Sequence, residues 1–367
     1  MNLLVIKLSD MGDVLTTTPA LRALRDRFPK GRISLLTPPQ SASVVAGSSL
    51  VNEVITFDKR LFDHPWRSWW PPYLAKGIAL WHCLSQSRFD ALVVFHHFST
   101  PWGAFKFALL SLASGAPLRA GLDNGRGWFL THRAPDRGFG YRHEVEYWLS
   151  VASLLGASPQ PRPMEVSFAP QDEAFAQGLI ASLPGTGPLV ALHPGGGEYG
   201  TARRWPVPHF AQVARQIIEA REARVVVVGG QREANLAQEV AQSLPQATNL
   251  VGKTTIGQLA ALLRRSHLFI GNDSGLMHLA AASGTPGVAI FGPSNHRAWG
   301  PWACSVPWQV VRLELPCSPC LYVDGRVGKR EGCSEKTCLL ALEPRRVLAA
   351  ALEILDNYDQ VRAHIGS

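Results

Sequence analysis

The sequence predicts an α/β protein built from two parallel-sheet domains in tandem, each with helices on both faces of its sheet. Short apolar runs alternate with amphipathic helical patterns in both halves of the chain. Several of those runs end at a glycine-containing turn that opens a helix. At 367 residues the chain also exceeds the size, about 250–300 residues, at which a single core usually stops growing.

In the first half, residues 3–8, 32–37, 53–57, 91–95 and 119–122 read as strands. A helical pattern of Leu21, Leu24 and Phe28 follows the first, with Thr18 and Pro19 placed to start it. The stretch 66–73 reads as a loop by its prolines. Residues 134–142 are polar, basic and glycine-containing, and a helix follows over 143–155. The domain boundary is expected near residue 170, giving a first domain over 1–170 and a second over 171–342. Beyond them, residues 343–367 form a C-terminal helix and tail placed to pack back on the first domain. The second half alternates more cleanly. Strands are expected at 189–193, 224–229, 248–251, 268–271 and 288–291, and helices at 172–183, 208–220, 233–244, 256–265, 276–283 and 344–355. Tandem sheets of this kind leave a cleft at the carboxyl ends of their strands, where ligands of such folds bind.

Composition narrows the partners. Apolar residues make up 46% of the chain and charged residues 17%, and no window reaches the roughly 18 consecutive apolar residues of a membrane span. Lys7 and Asp10 interrupt the apolar N-terminus, which reads as a strand and not a signal peptide, so the expected compartment is the cytoplasm. The net charge is +8, and residues 1–150 hold 17 Lys and Arg against 11 Asp and Glu. No basic run, zinc-finger ladder or RNA-binding signature accompanies that charge, which argues against nucleic acid.

Four glycine turns carry the chemistry. Lys7-Leu-Ser-Asp-Met-Gly-Asp13 closes the first strand, and Asp13, near a helix start, is expected to be ionised at pH 7 with its pKa lowered by the helix N-terminus. A helix cap is the plain alternative. His193-Pro-Gly-Gly-Gly leads through Arg203 and Arg204 to Trp205-Pro206, a glycine-rich loop with arginines suited to a diphosphate; Gly195 and Gly196 lie in it. Its spacing matches neither a Walker loop nor a dinucleotide fingerprint. Val228-Gly-Gly-Gln-Arg-Glu233 is a third turn, whose Glu233 could accept ribose hydroxyls or cap its helix. Asn272-Asp273-Ser274-Gly275, with His278 one turn on, offers free N–H groups at a helix start; Asp273 or Ser274 can cap it, and the set is more than capping needs. Cys317, Cys320, Cys333 and Cys338 form C-x2-C and C-x4-C pairs within structural-metal spacing, and Cys83 and Cys304 are expected to be buried.

Taken together, Lys-x-Ser-x-Met-Gly-Asp, the His-Pro-Gly loop leading to Arg-x-Trp-Pro, the Gly-Gly turn, and Asn-Asp-Ser-Gly-x-x-His with a later Phe-Gly-Pro resemble family 9 of the glycosyltransferases, from residue 1 to about 355. The resemblance implies the GT-B fold, two Rossmann-like domains with parallel sheets facing a central cleft, the first for the acceptor and the second for the donor. It implies inverting transfer of heptose from ADP-heptose to a lipopolysaccharide-core acceptor, with no metal in catalysis. Asp13 falls on the family's catalytic base and Arg203 where a lysine commonly contacts the donor diphosphate. Asp273, Ser274, Gly275 and His278 fall on the donor-binding motif, and Glu233 near an acidic residue that contacts the nucleotide ribose. The loop after His193 is longer than is typical, which leaves the choice between Arg203 and Arg204 open. An anionic glycolipid acceptor at the inner-membrane surface gives the basic first half a purpose, with Lys7, Arg119, Arg126, Arg133 and Arg142 as candidates to meet it. Trp66, Trp69 and Trp70 are placed to touch lipid or sugar, or to fill a domain seam. One branch of relatives holds iron through four cysteines at a different spacing, so the cysteine cluster here is a candidate structural zinc or iron site, with reduced thiols tying down a loop as the alternative. A nucleotide-sugar epimerase of similar build, or a nucleotide-sugar-binding protein without catalysis, remain the alternatives; oligomeric state is not legible.

Overall fold

The computed structural model describes residues 1–62, 71–324, 326–329 and 331–365, with the side chains of 60, 61, 198–200, 237 and 358–365 left aside. The chain divides into two compact units, Met1–Arg162 and Pro163–Ser367. The first break thus precedes residue 170, because the helix beginning at Pro170 belongs to the second unit.

The first unit runs β1 (Asn2–Ile6), α1 (Met11–Leu15), α2 (Thr18–Arg27), β2 (Arg32–Thr37), β3 (Glu53–Thr56), α3 (Pro71–Gln86), β4 (Ala91–Val94), α4 (Pro101–Ser114), β5 (Leu118–Asp123), β6 (His132–Pro135) and α5 (Glu144–Ser153). Its strands form one sheet in the order β3-β2-β1-β4-β5-β6, parallel throughout. A strand covered by helices on both faces reads as a continuous apolar run, and Leu3–Ile6 of β1 are fully buried, paired with Ile33–Leu36 and Ala91–Val94.

The second unit runs α6 (Pro170–Ser182), β7 (Leu189–His193), α7 (Val207–Arg221), β8 (Arg224–Val227), α8 (Ala234–Ser243), β9 (Thr248–Asn249), α9 (Ile256–Arg264), β10 (Leu268–Asn272), α10 (Gly275–Ala282), β11 (Gly287–Ile290), α11 (His296–Trp299), β12 (Trp308–Val311), α12 (Thr337–Leu340) and α13 (Pro344–Ile365). Its order, β12-β11-β10-β7-β8-β9, repeats the doubly wound pattern of the first sheet. In each sheet the order reverses beside the first strand, between β1 and β4 and between β7 and β10. Ligands of open α/β sheets bind at the carboxyl ends of strands at that reversal. Helix α13 contributes Val347, Ala350, Ala351, Ile354 and Leu355 to the core beside Val288, Ile290 and Ile217, so the C-terminal helix packs within the second unit.

The short helices α1, α11 and α12 were not expected, and four longer or sheet elements also depart from expectation. Pro71 and Pro72 open α3 instead of prolonging a loop, since a helix's first turn needs none of the N–H groups proline lacks. Helix α4 went unread although Thr100 caps it, accepting from Gly103 N–H at 3.0 Å, and Gly115 ends it in the left-handed region at φ 62°. Strands β6 and β12 are edge strands without a clear apolar alternation.

Candidate active site

In the first unit the reversal gathers charge. Lys7 follows β1 directly, and the turn through Gly12 opens α1 with Asp13 as its third residue. Asp10, not Asp13, occupies the cap position, which removes the capping alternative for Asp13. Lys7 is buried, 3% exposed, with Nζ 4.0 Å from Asp13 Oδ1 and 4.0 Å above the Trp148 ring. Burial lowers the Lys7 pKa, opposed by the charges of Asp13 and Glu144. Burial pushes the Asp13 carboxyl up to about 6, with Asp10 and Glu144 adding to the rise and Lys7 opposing it. This corrects the expected lowering: one short helix start does not offset desolvation beside two other carboxylates. At pH 7 the group is still mostly ionised.

Behind this pair lies a cluster that the sequence reading missed. His97 Nε2 stands 3.2 Å from both oxygens of Glu144, and Nδ1 stands 3.0 Å from Asp136 Oδ1. The Glu144 side chain is fully buried and that of Asp136 nearly so. Burial would lower the His97 pKa, but Glu144 and Asp136 outweigh it and raise it to about 9. The ring packs against Phe139, Tyr147 and Trp148. Trp148 therefore touches both the Lys7 ammonium and the His97 ring, and donates its indole N–H to Thr16. The available signal was His96-His97 directly past β4, the strand beside β1.

The remaining basic candidates do not join this cluster. Arg119 is half-buried on β5, Arg126 is exposed and donates to Phe98 O, Arg133 pairs with Asp123, and Arg142 is exposed near the Tyr141 ring. Lys7, expected among the acceptor contacts, is instead enclosed beside Asp13. Trp66, Trp69 and Trp70 lie outside the described residues.

In the second unit, β7, β8 and β10 end side by side. Asn272 donates to Pro194 O and Gly195 O, both at 2.9 Å, and accepts from Trp205 N–H, so the glycine loop is tied to the end of β10. His193 Nε2 lies 3.2 Å from Glu233 Oε2, and Nδ1 lies 3.1 Å from Ser274 Oγ. An ionised carboxylate only accepts, so Nε2 carries a proton in its contact with Glu233, while Nδ1 pairs with the Ser274 hydroxyl. Ser274 is the cap of α10, accepting from Met277 N–H, which decides between the two expected caps. Glu233 also accepts from Gly230 N–H at 2.9 Å. Burial would raise its pKa, yet His193 and the backbone N–H groups hold it near 2. Its Oε1 has no protein partner among the described residues. Gly195 is required here because a Cβ would fall 1.8 Å from that oxygen. Gly196 is buried beside it.

Asp273 faces Arg203 and does not cap: Nη1 is 3.0 Å from Oδ2, and Nη2 donates to the Tyr322 hydroxyl at 3.1 Å. Arg204 is half-buried, and its Nε has no protein partner among the described residues. Gly275 opens α10, and His278 is buried on it near Trp299. Tyr322 was missed by the sequence reading, lying beyond the recognised turns. The cysteines disappoint their expectation. Among the described residues no three Cys, His, Asp or Glu side chains form a group able to hold a metal, so Cys317, Cys320, Cys333 and Cys338 do not assemble a zinc or iron site here. Cys338 packs into the apolar core, and burial, reinforced by the other three thiols, pushes its pKa up to about 11. Cys83 and Cys304, expected buried, are exposed.

The model of glycosyltransferase family 9 (heptosyltransferase) matches residues 78–329. The chain belongs to glycosyltransferase family 9. It is 28% identical to lipopolysaccharide heptosyltransferase 2 of Escherichia coli K12 over 316 residues, covering 80% of this chain and 84% of that protein. The structure of E. coli ADP-heptose LPS heptosyltransferase II superposes with a TM-score of 0.74 at 25% identity, over 98% of this chain and all of that one. A family 9 glycosyltransferase from Veillonella parvula gives 0.76 at 23% identity, over 97% of each chain. The two parallel sheets are those of the GT-B fold, and the protein is a glycosyltransferase. Among the described residues no helix is long and apolar enough to cross a membrane.

Proposed function

We propose that this glycosyltransferase moves heptose from ADP-heptose, with inversion, to a lipopolysaccharide-core acceptor, with Asp13 as general base. The observation that carries the reading is Asp13 itself: a carboxylate at a sheet reversal, held by burial at a pKa of about 6 beside an enclosed lysine. A sugar hydroxyl is a poor nucleophile until its proton is taken, and a base works best with a pKa near the operating pH. Asp13 would accept the acceptor's hydroxyl proton as that oxygen attacks the anomeric carbon opposite the departing ADP, and this single displacement inverts the centre. The leaving diphosphate gains charge in the transition state. Arg203, Arg204 and the N–H groups at the start of α10 are the groups suited to stabilise it. Glu233, held in the turn after β8 beside the glycine loop, is the group suited to a ribose hydroxyl.

The names of the relatives support the donor and acceptor classes: lipopolysaccharide heptosyltransferases, one of them described by ADP-heptose. The net charge of +8 suits an anionic glycolipid at the cytoplasmic face of the inner membrane. Structural zinc or iron has no part in this reading. The test is a thermal-shift panel of nucleotide sugars. A ligand at 100 times its Kd stabilises by about 2.7 kcal/mol, so ADP-heptose should raise the melting temperature more than UDP- or GDP-sugars. Preferential stabilisation by a different nucleotide sugar removes the donor assignment.

A further inference from the structure

Helices α3 and α4 pack against each other on one face of the first sheet, burying Leu80, Leu84, Ala104 and Phe107. Their opposite faces are also apolar. On α3, Leu74, Ile78 and Trp81 recur at helical spacing, and on α4, Phe105, Leu109 and Leu112 repeat the same interval. All six are between 42% and 66% exposed. A helix apolar on every side normally belongs in a core or against lipid, and six large apolar side chains on two adjacent helices exceed the scattered exposure of an ordinary surface. The only Lys, Arg, Asp or Glu residues on either helix are Lys76 and Lys106. The whole unit, Met1–Arg162, carries 18 Lys and Arg against 11 Asp and Glu.

We propose that the α3–α4 face lies on an anionic lipid bilayer, its six apolar side chains entering the acyl boundary while the exposed Lys76 meets the headgroup phosphates. Charge decides between occupants. A second copy of the chain would set this basic unit, with 18 Lys and Arg against 11 Asp and Glu, against its own like charge, whereas anionic headgroups carry the opposite sign. Trp81 suits such a boundary, with an apolar ring and an N–H for the wet side. The docking goes beyond the transfer reaction and does not depend on Asp13 or on the identity of the donor.

The test is co-sedimentation of the full chain with unilamellar vesicles of phosphatidylcholine and phosphatidylglycerol at 3:1, and with phosphatidylcholine alone, without donor or acceptor present. The wild type should bind the anionic vesicles. Ile78→Ser with Leu112→Ser, the two most exposed of the six, should lower the partition coefficient by at least about tenfold. Lys76→Glu should lower it roughly fivefold on anionic vesicles and leave binding to phosphatidylcholine unchanged. These side chains are exposed, so circular dichroism and melting temperature should not move. Light scattering after size exclusion checks the rival occupant. Failure of the wild type to bind, equal binding by the Ser variant, or a wild-type dimer that the Ser variant splits overturns the proposal. Each outcome is independent of whether Asp13→Asn abolishes transfer.

Discussion

Replacing His97 by glutamine should destabilise the protein in a pH-dependent way. Among the described residues His97 is the cation that ion-pairs with Glu144, and the Glu144 side chain is fully buried. Its pKa is raised from 6.5 to about 9, a shift worth about 3 kcal/mol of folding free energy. Because the folded-state value is the higher one, that stability is fully present below the unfolded pKa, about pH 6.5, and is lost as pH rises towards about 9. Breaking a buried pair by removing one partner typically costs about 3–5 kcal/mol, which agrees. For a unit of this size, Met1–Arg162, each kcal/mol moves the melting temperature by about 2–4 °C. His97→Gln should therefore melt about 6–12 °C below wild type at pH 6, and the gap should narrow steadily between pH 6.5 and 9. Melting followed by circular dichroism across that range makes the comparison. A gap under about 2 °C at pH 6, or one that stays constant to pH 10, would refute a buried imidazolium held between Glu144 and Asp136.

Removing the Lys7 charge has the opposite reach, into catalysis. Lys7 holds the Asp13 pKa down, so kcat/KM should fall below about pH 6 in the wild type, and Lys7→Met should move that acid limb to higher pH; an unmoved limb would separate Lys7 from the base. In Gly195→Ala the new methyl group meets Glu233 Oε1, so the His193–Glu233 contact must shift; stability should drop by about 1–3 kcal/mol and donor affinity with it, read by melting and calorimetry. In Arg203→Ala, Asp273 loses its buried ion-pair partner, which should cost about 3–5 kcal/mol by melting, and Arg203→Lys should recover only part of that because lysine lacks the planar fork that reaches both Asp273 and Tyr322.

The sheet architecture was legible because parallel strands buried on both faces must be apolar throughout. Residues 32–37 and 189–193 were placed to the residue, as β2 and β7. The strand-end turns of the second unit were legible for a related reason: a strand ending at glycine, followed by a cap, leaves a local signature at His193, Glu233 and Ser274. The His97 cluster left no such signature. Its members are 39 and 47 residues apart along the chain and meet only because β4, the turn after β6 and α5 converge. For the same reason the Asp13 pKa was misjudged: desolvation and the Glu144 charge come from packing, whereas the helix start is visible in the sequence. The cysteine spacing suited a metal, but Cys338 is drawn into the core by its neighbour Leu339 and by Leu342, a demand that spacing does not record.

Single-turnover transfer by Asp13→Asn, with donor affinity measured on the same preparation, bears most directly on the account. It predicts a transfer rate lower by about 10²–10⁴-fold with donor affinity within about twofold of wild type, as befits a residue that moves a proton and holds no part of the nucleotide. Transfer at close to the wild-type rate would contradict it.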